Sequence, residues 1–241
     1  MRKPHTYWDE GITLVSSCTR CSPGCDNCWA MAMEERFGKA GEVTFHPDRL
    51  NRFNKKKPTV FSIWNDLHHE EVGHEFKRET YSRMAKHMNN TYLVLTKRPH
   101  SLIQFFLDIE PFWDMNNVWH GLTVCNQQEA DEKIPIFMRL LCKKFISIEP
   151  LLKEINIPFN TEYPDADGCY EDMRHHIKQV VLGCETGAKA RPMQLDWARS
   201  IAQQCKAANV PLFIKALTIN GKPNHNIEQW PEDLRIRELV W

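Results

Sequence analysis

Short apolar, β-branched runs alternate along this chain with longer stretches of helical periodicity. The apolar runs fall at Ile12–Ser16, Thr59–Trp64, Thr91–Thr96, Val118–Val124, Lys144–Glu149, Gln179–Cys184 and Pro211–Lys215. Between them, helices are expected at Asn27–Phe37 (stopped by Gly38), at His74–Met88, after Pro99, at Gln127–Leu141 and at Leu195–Asn209. Pro99 suits a first helical turn, whereas Pro135 should kink or break its helix. Seven strand–helix units argue for a parallel sheet with helices outside, and the near-continuous apolar strands suit burial on both faces. The expected fold is α/β, a full or partial (β/α) barrel of about six to eight parallel strands. A doubly wound open sheet ranks second, because no glycine-rich phosphate turn follows the first strand. Residues 1–241 read as a single domain, with 160–175 an acidic, turn-rich excursion and 216–241 a polar C-terminal extension.

Composition changes this picture little. The 241 residues are 42% hydrophobic and 26% charged, with zero formal net charge, so global electrostatics do not select a polyanionic partner. No apolar run nears the roughly 18 residues of a membrane span. The N-terminal MRKPHTYWDE lacks the apolar core of a secretory signal, so a cytoplasmic protein is expected. In a reducing compartment its nine cysteines are thiols or metal ligands rather than a disulfide framework. Cys125, Cys142, Cys169, Cys184 and Cys205 are scattered and read as small buried hydrophobes.

The other four cysteines change the picture most. Cys18, Cys21, Cys25 and Cys28 fall within eleven residues, in SCTRCSPGCDNCWA (Ser17–Ala30). Cys21, Cys25 and Cys28 read C-x3-C-x2-C, a loop able to wrap three irons of a cubane and leave the fourth open. Ser22-Pro23-Gly24 gives a tight turn that can aim backbone N–H groups at the sulfurs. Two CxxC pairs on structural zinc, an electron-carrying cluster with four protein ligands, and a redox disulfide are the alternatives.

Polar residues gather where the expected strands end, which in parallel α/β folds is where chemistry collects. They are NDLHHEE (Asn65–Glu71), TKRP (Thr96–Pro99), Thr123 and Asn126, Glu149-Pro150, and CETGAKARP (Cys184–Pro192). His68, His69 and His74 with Glu70 and Glu71 read either as a second metal site or as a hydrated loop leading into a helix. His175, His176 and Lys55–Lys57 read as solvated surface, and most of the eight tryptophans as packing anchors. No G-x-S-x-G elbow and no P-loop occur, which ranks a hydrolase reading last.

SCTRCSPGCDNCWA, NDLHHEEV (Asn65–Val72), LTKRP (Leu95–Pro99), GLTVCNQ (Gly121–Gln127), SIEPLL (Ser147–Leu152) and GCETGAKARPM (Gly183–Met193) together resemble the phage-associated three-Cys-motif family (phage proteins gp thirty-seven and gp sixty-eight). That family is itself similar to radical SAM enzymes. The resemblance implies a [4Fe–4S] cluster, S-adenosylmethionine as cofactor and a partial TIM-type barrel holding both. Reduced flavodoxin or ferredoxin would donate the electron, and a 5′-deoxyadenosyl radical would act on an unknown substrate, a nucleotide or nucleic acid being the guess. The family's C-x6-C-x2-C selects Cys18, Cys25 and Cys28, whereas the usual radical SAM spacing selects Cys21, Cys25 and Cys28. Asn27 stands where an aromatic residue often faces the adenine, and Trp29 either substitutes or packs. On this reading Cys25, Cys28, Glu149 and Glu185 carry the chemistry. Asn65, Asp66, Thr96, Lys97, Thr123, Asn126 and Glu149 meet the cofactor, while Arg98, Lys189 and Arg191 meet substrate. The alternative is a zinc- or cluster-stabilised module that binds nucleic acid or protein without catalysis.

Overall fold

The computed structural model describes residues 3, 5–38, 41–108, 115–164 and 168–241. Seven strands run parallel in chain order: β1 (Glu10–Thr13), β2 (Val60–Trp64), β3 (Thr91–Thr96), β4 (Val118–Thr123), β5 (Lys144–Ile148), β6 (Ile177–Gly183) and β7 (Leu212–Ile219). An eighth, β8 (Lys222–Asn224), returns antiparallel beside β7. The sheet curls into a half-barrel, so the expected partial barrel is present in its coarse form. Helices α1 (Trp29–Arg36), α2 (His74–Lys86), α3 (Pro99–Asp108), α4 (Gln127–Phe137) and α5 (Leu195–Ala208) connect the strands. Among the described residues no helix is long and apolar enough to cross a membrane.

Most expected boundaries shift by a residue or two at element ends. Three differences are larger. The first apolar run splits, because Val15–Ser16 leaves the sheet to pair with Thr44–Phe45. Pro135 lies inside α4, which ends two residues later rather than at Leu141. The seventh strand continues to Ile219, so the expected C-terminal extension begins as part of the sheet. Within 160–175, Glu162–Pro164 pairs with Tyr170–Asp172 as a small antiparallel ribbon.

Successive strand residues point to opposite faces, and the two faces bury different things. On the outer face Leu122, Ile146, Val180, Leu182 and Ile214 pack with Leu102, Ile134 and Ile201 of the helices. On the inner face Val60, Leu93, Trp119, Phe145, Val181 and Phe213 form a separate cluster with Tyr7. The tail covers the free edge of β7: Ile214 N–H donates to Ile236 O (2.9 Å) and Glu238 N–H to Leu212 O (2.9 Å). Trp241 then lies against Trp119 and Phe145, with centroids 5.1 and 5.3 Å away, and donates from Nε1 to Tyr7 O at 2.8 Å. Apolar rings therefore fill the amino-terminal end of the half-barrel.

Towards the carboxyl ends the inner face turns polar. Register places Leu95, Gly121 and Phe145 side by side, and Thr123, Ser147, Val181 and Phe213 in the row above. Gly121 is required by the Phe145 ring, which would stand 2.3 Å from a Cβ there. That ring is fully buried and backed by Trp241, so it cannot retreat. Gly121→Ala should lower the free energy of unfolding by about 1–3 kcal/mol, the usual cost of overpacking. Denaturant titration followed by tryptophan fluorescence measures it, and an unchanged midpoint would mean the ring has room to move.

Candidate functional site

A cavity of about 470 Å³ opens at the carboxyl ends of the strands. Its wall includes Cys18, Cys25, Cys28, Asn65, Asp66, Thr96, Lys97, Arg98, Thr123 and Glu149. Of the residues expected from sequence, Cys21, Asn126, Glu185, Lys189 and Arg191 lie outside that wall.

The cysteine loop leaves the end of β1 and is seated across the ends of β3 to β6. Ser17 takes a left-handed conformation (φ 62°), and its N–H donates to Glu34 Oε1 of α1 at 2.8 Å. Pro23–Cys25 forms one 3-10 turn, capped by Ser22 Oγ, which accepts from Gly24 N–H at 3.1 Å. A Cβ on Gly24 would stand 2.4 Å from Cys125 Sγ and 3.2 Å from a Pro150 ring carbon, so glycine lets the loop lie directly on the ends of β4 and β5. The expected tight turn is present. The N–H groups of Cys25 and Cys28 go to the carbonyls of Ser22 (2.9 Å) and Cys25 (3.2 Å) rather than to sulfurs.

Two arginines fix the loop from opposite sides of the rim. Arg98, just after β3, donates from Nη2 to Thr19 O (2.8 Å) and Thr19 Oγ1 (2.9 Å), and from Nη1 to Cys18 Sγ (3.5 Å). It is held in turn by Asp66 Oδ2 (3.1 Å) and Glu70 Oε2 (2.7 Å). Asp66 Oδ2 also accepts from Thr96 Oγ1 and Lys97 N–H, at 3.0 and 3.1 Å. The Arg98 and Asp66 side chains are only 5% and 8% exposed, so neither charge could be left alone cheaply. Beyond β6, Arg191 donates from Nη2 to Pro23 O (2.7 Å) and from Nη1 to Asp26 Oδ2 (3.2 Å). It pairs with buried Glu185 through Nη2 and Nε, at 2.5 and 3.0 Å. Asn27 Nδ2 completes this clamp, donating to Glu185 Oε2 (2.9 Å) and Lys189 O (3.0 Å).

Glu149, at the end of β5, is surrounded by donors. Tyr7 Oη and Ser147 Oγ donate to its Oε1 at 2.8 and 3.1 Å, and Lys215 Nζ of β7 to its Oε2 at 2.8 Å. Burial, then the neighbouring carboxylate, drives the Tyr7 hydroxyl well above the ordinary tyrosine value, so Tyr7 stays a proton donor to Glu149.

Other expected residues have local duties. Asn65 is left-handed (φ 60°) and donates from Nδ2 to Val15 O (2.8 Å) and Glu34 Oε1 (3.1 Å). Asn126 caps α4 by accepting from Glu129 N–H at 2.9 Å. The Lys189 side chain is exposed. His68, His69 and His74 do not converge: His68 Nε2 meets Tyr81 Oη (2.8 Å), His69 Nε2 meets Thr19 Oγ1 (2.8 Å), and His74 Nδ1 lies 3.8 Å from Asp108. Trp29 lines the cavity edge-on to Trp64 at 5.3 Å. Of the scattered cysteines, Cys125, Cys184 and Cys205 are buried, Cys142 is half-buried and Cys169 exposed. The sequence reading missed Tyr7, Trp8, Trp64, Ser147, Lys215 and His225, all in the cavity wall. Lys215 left a signal, as the charged end of the seventh apolar run.

The four cysteines of the loop, Cys18, Cys21, Cys25 and Cys28, are free thiols. Among the described residues no three His, Cys, Asp or Glu side chains are drawn together as ligands of one ion would be. Cys25 is the readiest thiolate of the loop. The hydrogen bond from the Cys21 thiol, then the Cys21 N–H and the charges of Lys97 and Arg98, overcome burial and lower it to about 5. Burial would lower Lys97, but the sulfurs of Cys125, Cys25 and Cys28 and the Asp66 carboxylate outweigh it and hold the ammonium above its usual value.

Replacing Arg191 with Lys should loosen the loop, because an ammonium cannot fork to Glu185, Pro23 O and Asp26 together. One lost charge-assisted bond predicts about a tenfold fall in amide protection over residues 17–28. Hydrogen exchange measures it, and unchanged protection would sink the clamp. A second expectation concerns pH. Burial raises Glu185, but the bonds from Arg191 and Asn27 prevail and hold it below the ordinary 4.5. Its stabilisation is therefore complete above the unfolded-state value and is lost as pH falls through the lower folded value. The wild type's resistance to denaturation should weaken with acid across that window, and Glu185→Gln should flatten that part of the profile.

A family model described as "Protein of unknown function (DUF5131)" matches residues 5–227. No curated protein and no solved structure matches the chain. The chain belongs to this DUF5131 family of proteins of unknown function.

Proposed function

We propose that this protein is a radical SAM-like enzyme of the phage-associated three-Cys-motif kind, with a [4Fe–4S] cluster on Cys18, Cys25 and Cys28 and S-adenosylmethionine in the cavity beside it. One observation carries the reading. The three sulfurs of the C-x6-C-x2-C spacing all line the cavity at the carboxyl rim of seven parallel strands, while Cys21 is exposed and outside its wall. The donor set fits the group: the thiols are free, and the loop bearing them is clamped on two sides. Three protein thiolates leave one iron for an exogenous ligand. When bound and reduced by an external flavodoxin or ferredoxin, the cluster would supply the one electron that breaks the sulfonium's S–C5′ bond, releasing methionine and a 5′ carbon able to take a hydrogen atom from substrate.

The chain's own residues bind, orient and exclude water. Arg98 donates to Cys18 Sγ, and hydrogen bonds to cluster sulfurs tune their potential. Lys97 and Thr123 present polar groups in the cavity wall, where cofactor hydroxyls or a carboxylate find partners. Glu149 is held fixed by Tyr7, Ser147 and Lys215 and offers a rigid acceptor. Trp29 and Trp64 give the ring surface that Asn27 does not.

Anaerobic reconstitution with iron and sulfide, followed by iron analysis and assay of reductive S-adenosylmethionine cleavage, tests the reading. Wild type and Cys21→Ala should retain iron and cleave the cofactor to 5′-deoxyadenosine. Cys18→Ala, Cys25→Ala and Cys28→Ala should each lose most of the iron. Zinc in place of iron, or iron without cleavage, would overturn the enzymatic claim and leave a metal-stabilised binding module.

A further inference from the structure

His5, Trp8 and His225 line the cavity beside the Tyr7 and Lys215 that hold Glu149. Residues His5–Trp8 precede β1 and border β7. Tyr7 packs on Phe213 (5.8 Å between centroids), and Lys215 Nζ sits 5.1 Å above the Trp8 ring. The His5 and His225 rings face each other at 5.2 Å. His5, Lys215 and His225 all line the cavity.

These groups have hydrogen-bonding capacity to spare. His225 donates from Nδ1 to Lys215 O (3.2 Å), so its Nε2 becomes a second donor when the ring is protonated beside an anion. Lys215 gives one N–H to Glu149, whose carboxylate already has two hydroxyl donors. In the wall Lys97 and Arg98 answer Asp66 and the Cys25 thiolate, and Lys215 answers Glu149, so the positive field at this end is that of the cations gathered around His5. His5 reports the same field: partial burial, then His225, Lys3, Arg237 and Lys215, hold its ring below the ordinary imidazole value. An apolar wall with a few convergent polar groups is how ligand sites are built, and here the flat part of that wall is tryptophan: Trp8, Trp29 and Trp64.

We propose that the His5–Lys215–His225 end of the cavity is an oxyanion site that receives the phosphate of a mononucleotide, its base lying against Trp8 of the same wall. The inference deepens the enzymatic reading, since that nucleotide would be the substrate. It is tested without cluster or cofactor, so either can fail while the other stands.

The test titrates the iron-free chain with adenosine 5′-monophosphate and with adenosine, by calorimetry and by the ring resonances of labelled histidines. The monophosphate should bind about tenfold or more tightly than the nucleoside, the worth of one charge-assisted hydrogen bond. It should also raise the titration midpoints of His5 and His225, because an anion beside the rings favours imidazolium. The double variant His5→Gln/His225→Gln should lose the preference while melting at the wild-type temperature. Equal binding of the two compounds, no binding of either, or a preference that survives in the double variant would overturn the proposal. So would S-adenosylhomocysteine shifting the two histidines as the monophosphate does, since the anion would then be the cofactor's carboxylate.

Discussion

Two buried carboxylates, each spent on an arginine that reaches into the same loop, make the rim of this half-barrel a defined surface. Asp66 orients Arg98, and Arg98 holds Thr19 and Cys18. Glu185 orients Arg191, and Arg191 holds Pro23 and Asp26. A thiol-rich loop with one turn of 3-10 helix has little core of its own, and the cost of ordering it must be offset elsewhere. Planar guanidinium forks suit this, since one side chain binds two or three acceptors in fixed directions. Because the clamps come from beyond β3 and from beyond β6, the loop cannot tilt toward either without breaking guanidinium hydrogen bonds to the other.

The inner face divides in the same spirit. Its amino-terminal end is filled by rings, with Trp241 inserted from the tail and Tyr7 from the segment before β1. Its carboxyl end stays open and polar because small or hydroxylated residues stand there: Ser62, Gly121, Thr123, Ser147 and Gly183. Gly183 matters to Glu149, since a Cβ there would lie 3.3 Å from Glu149 Oε2. The cavity is thus what remains where the strands stop supplying large side chains.

The strands were legible because parallel strands buried on both faces must be apolar runs, and each of the seven runs contributes residues to a strand of this sheet. Polar residues at the rim were legible for the complementary reason. What each one touches was not. Arg98 and Arg191 read as candidate ligands of substrate and Glu185 as a catalytic group, yet each has a partner in the cysteine loop, separated in sequence by 79, 168 and 158 residues respectively. Nothing local marks such pairings. Asn126 could have been recognised, because an asparagine three residues before a glutamate and a helical run is a cap signature. Tyr7 and His225 carried no signal, as they reach the cavity from segments with no periodicity.

The arrangement around Glu149 shows why a half-barrel can still present a rigid site. An isolated carboxylate facing an open cavity would be free to turn with its solvent. Here Tyr7 comes from before β1, Ser147 from β5 and Lys215 from β7, so three separate parts of the chain fix both oxygens. Polar groups held this way need no reorganisation when charge or a ligand appears beside them, which is the condition for strong electrostatic stabilisation. The same contacts tie the amino-terminal segment to β7 along the side of the sheet that barrel closure would otherwise seal. One carboxylate therefore serves both ends, joining the open side of the fold and orienting the floor of its cavity.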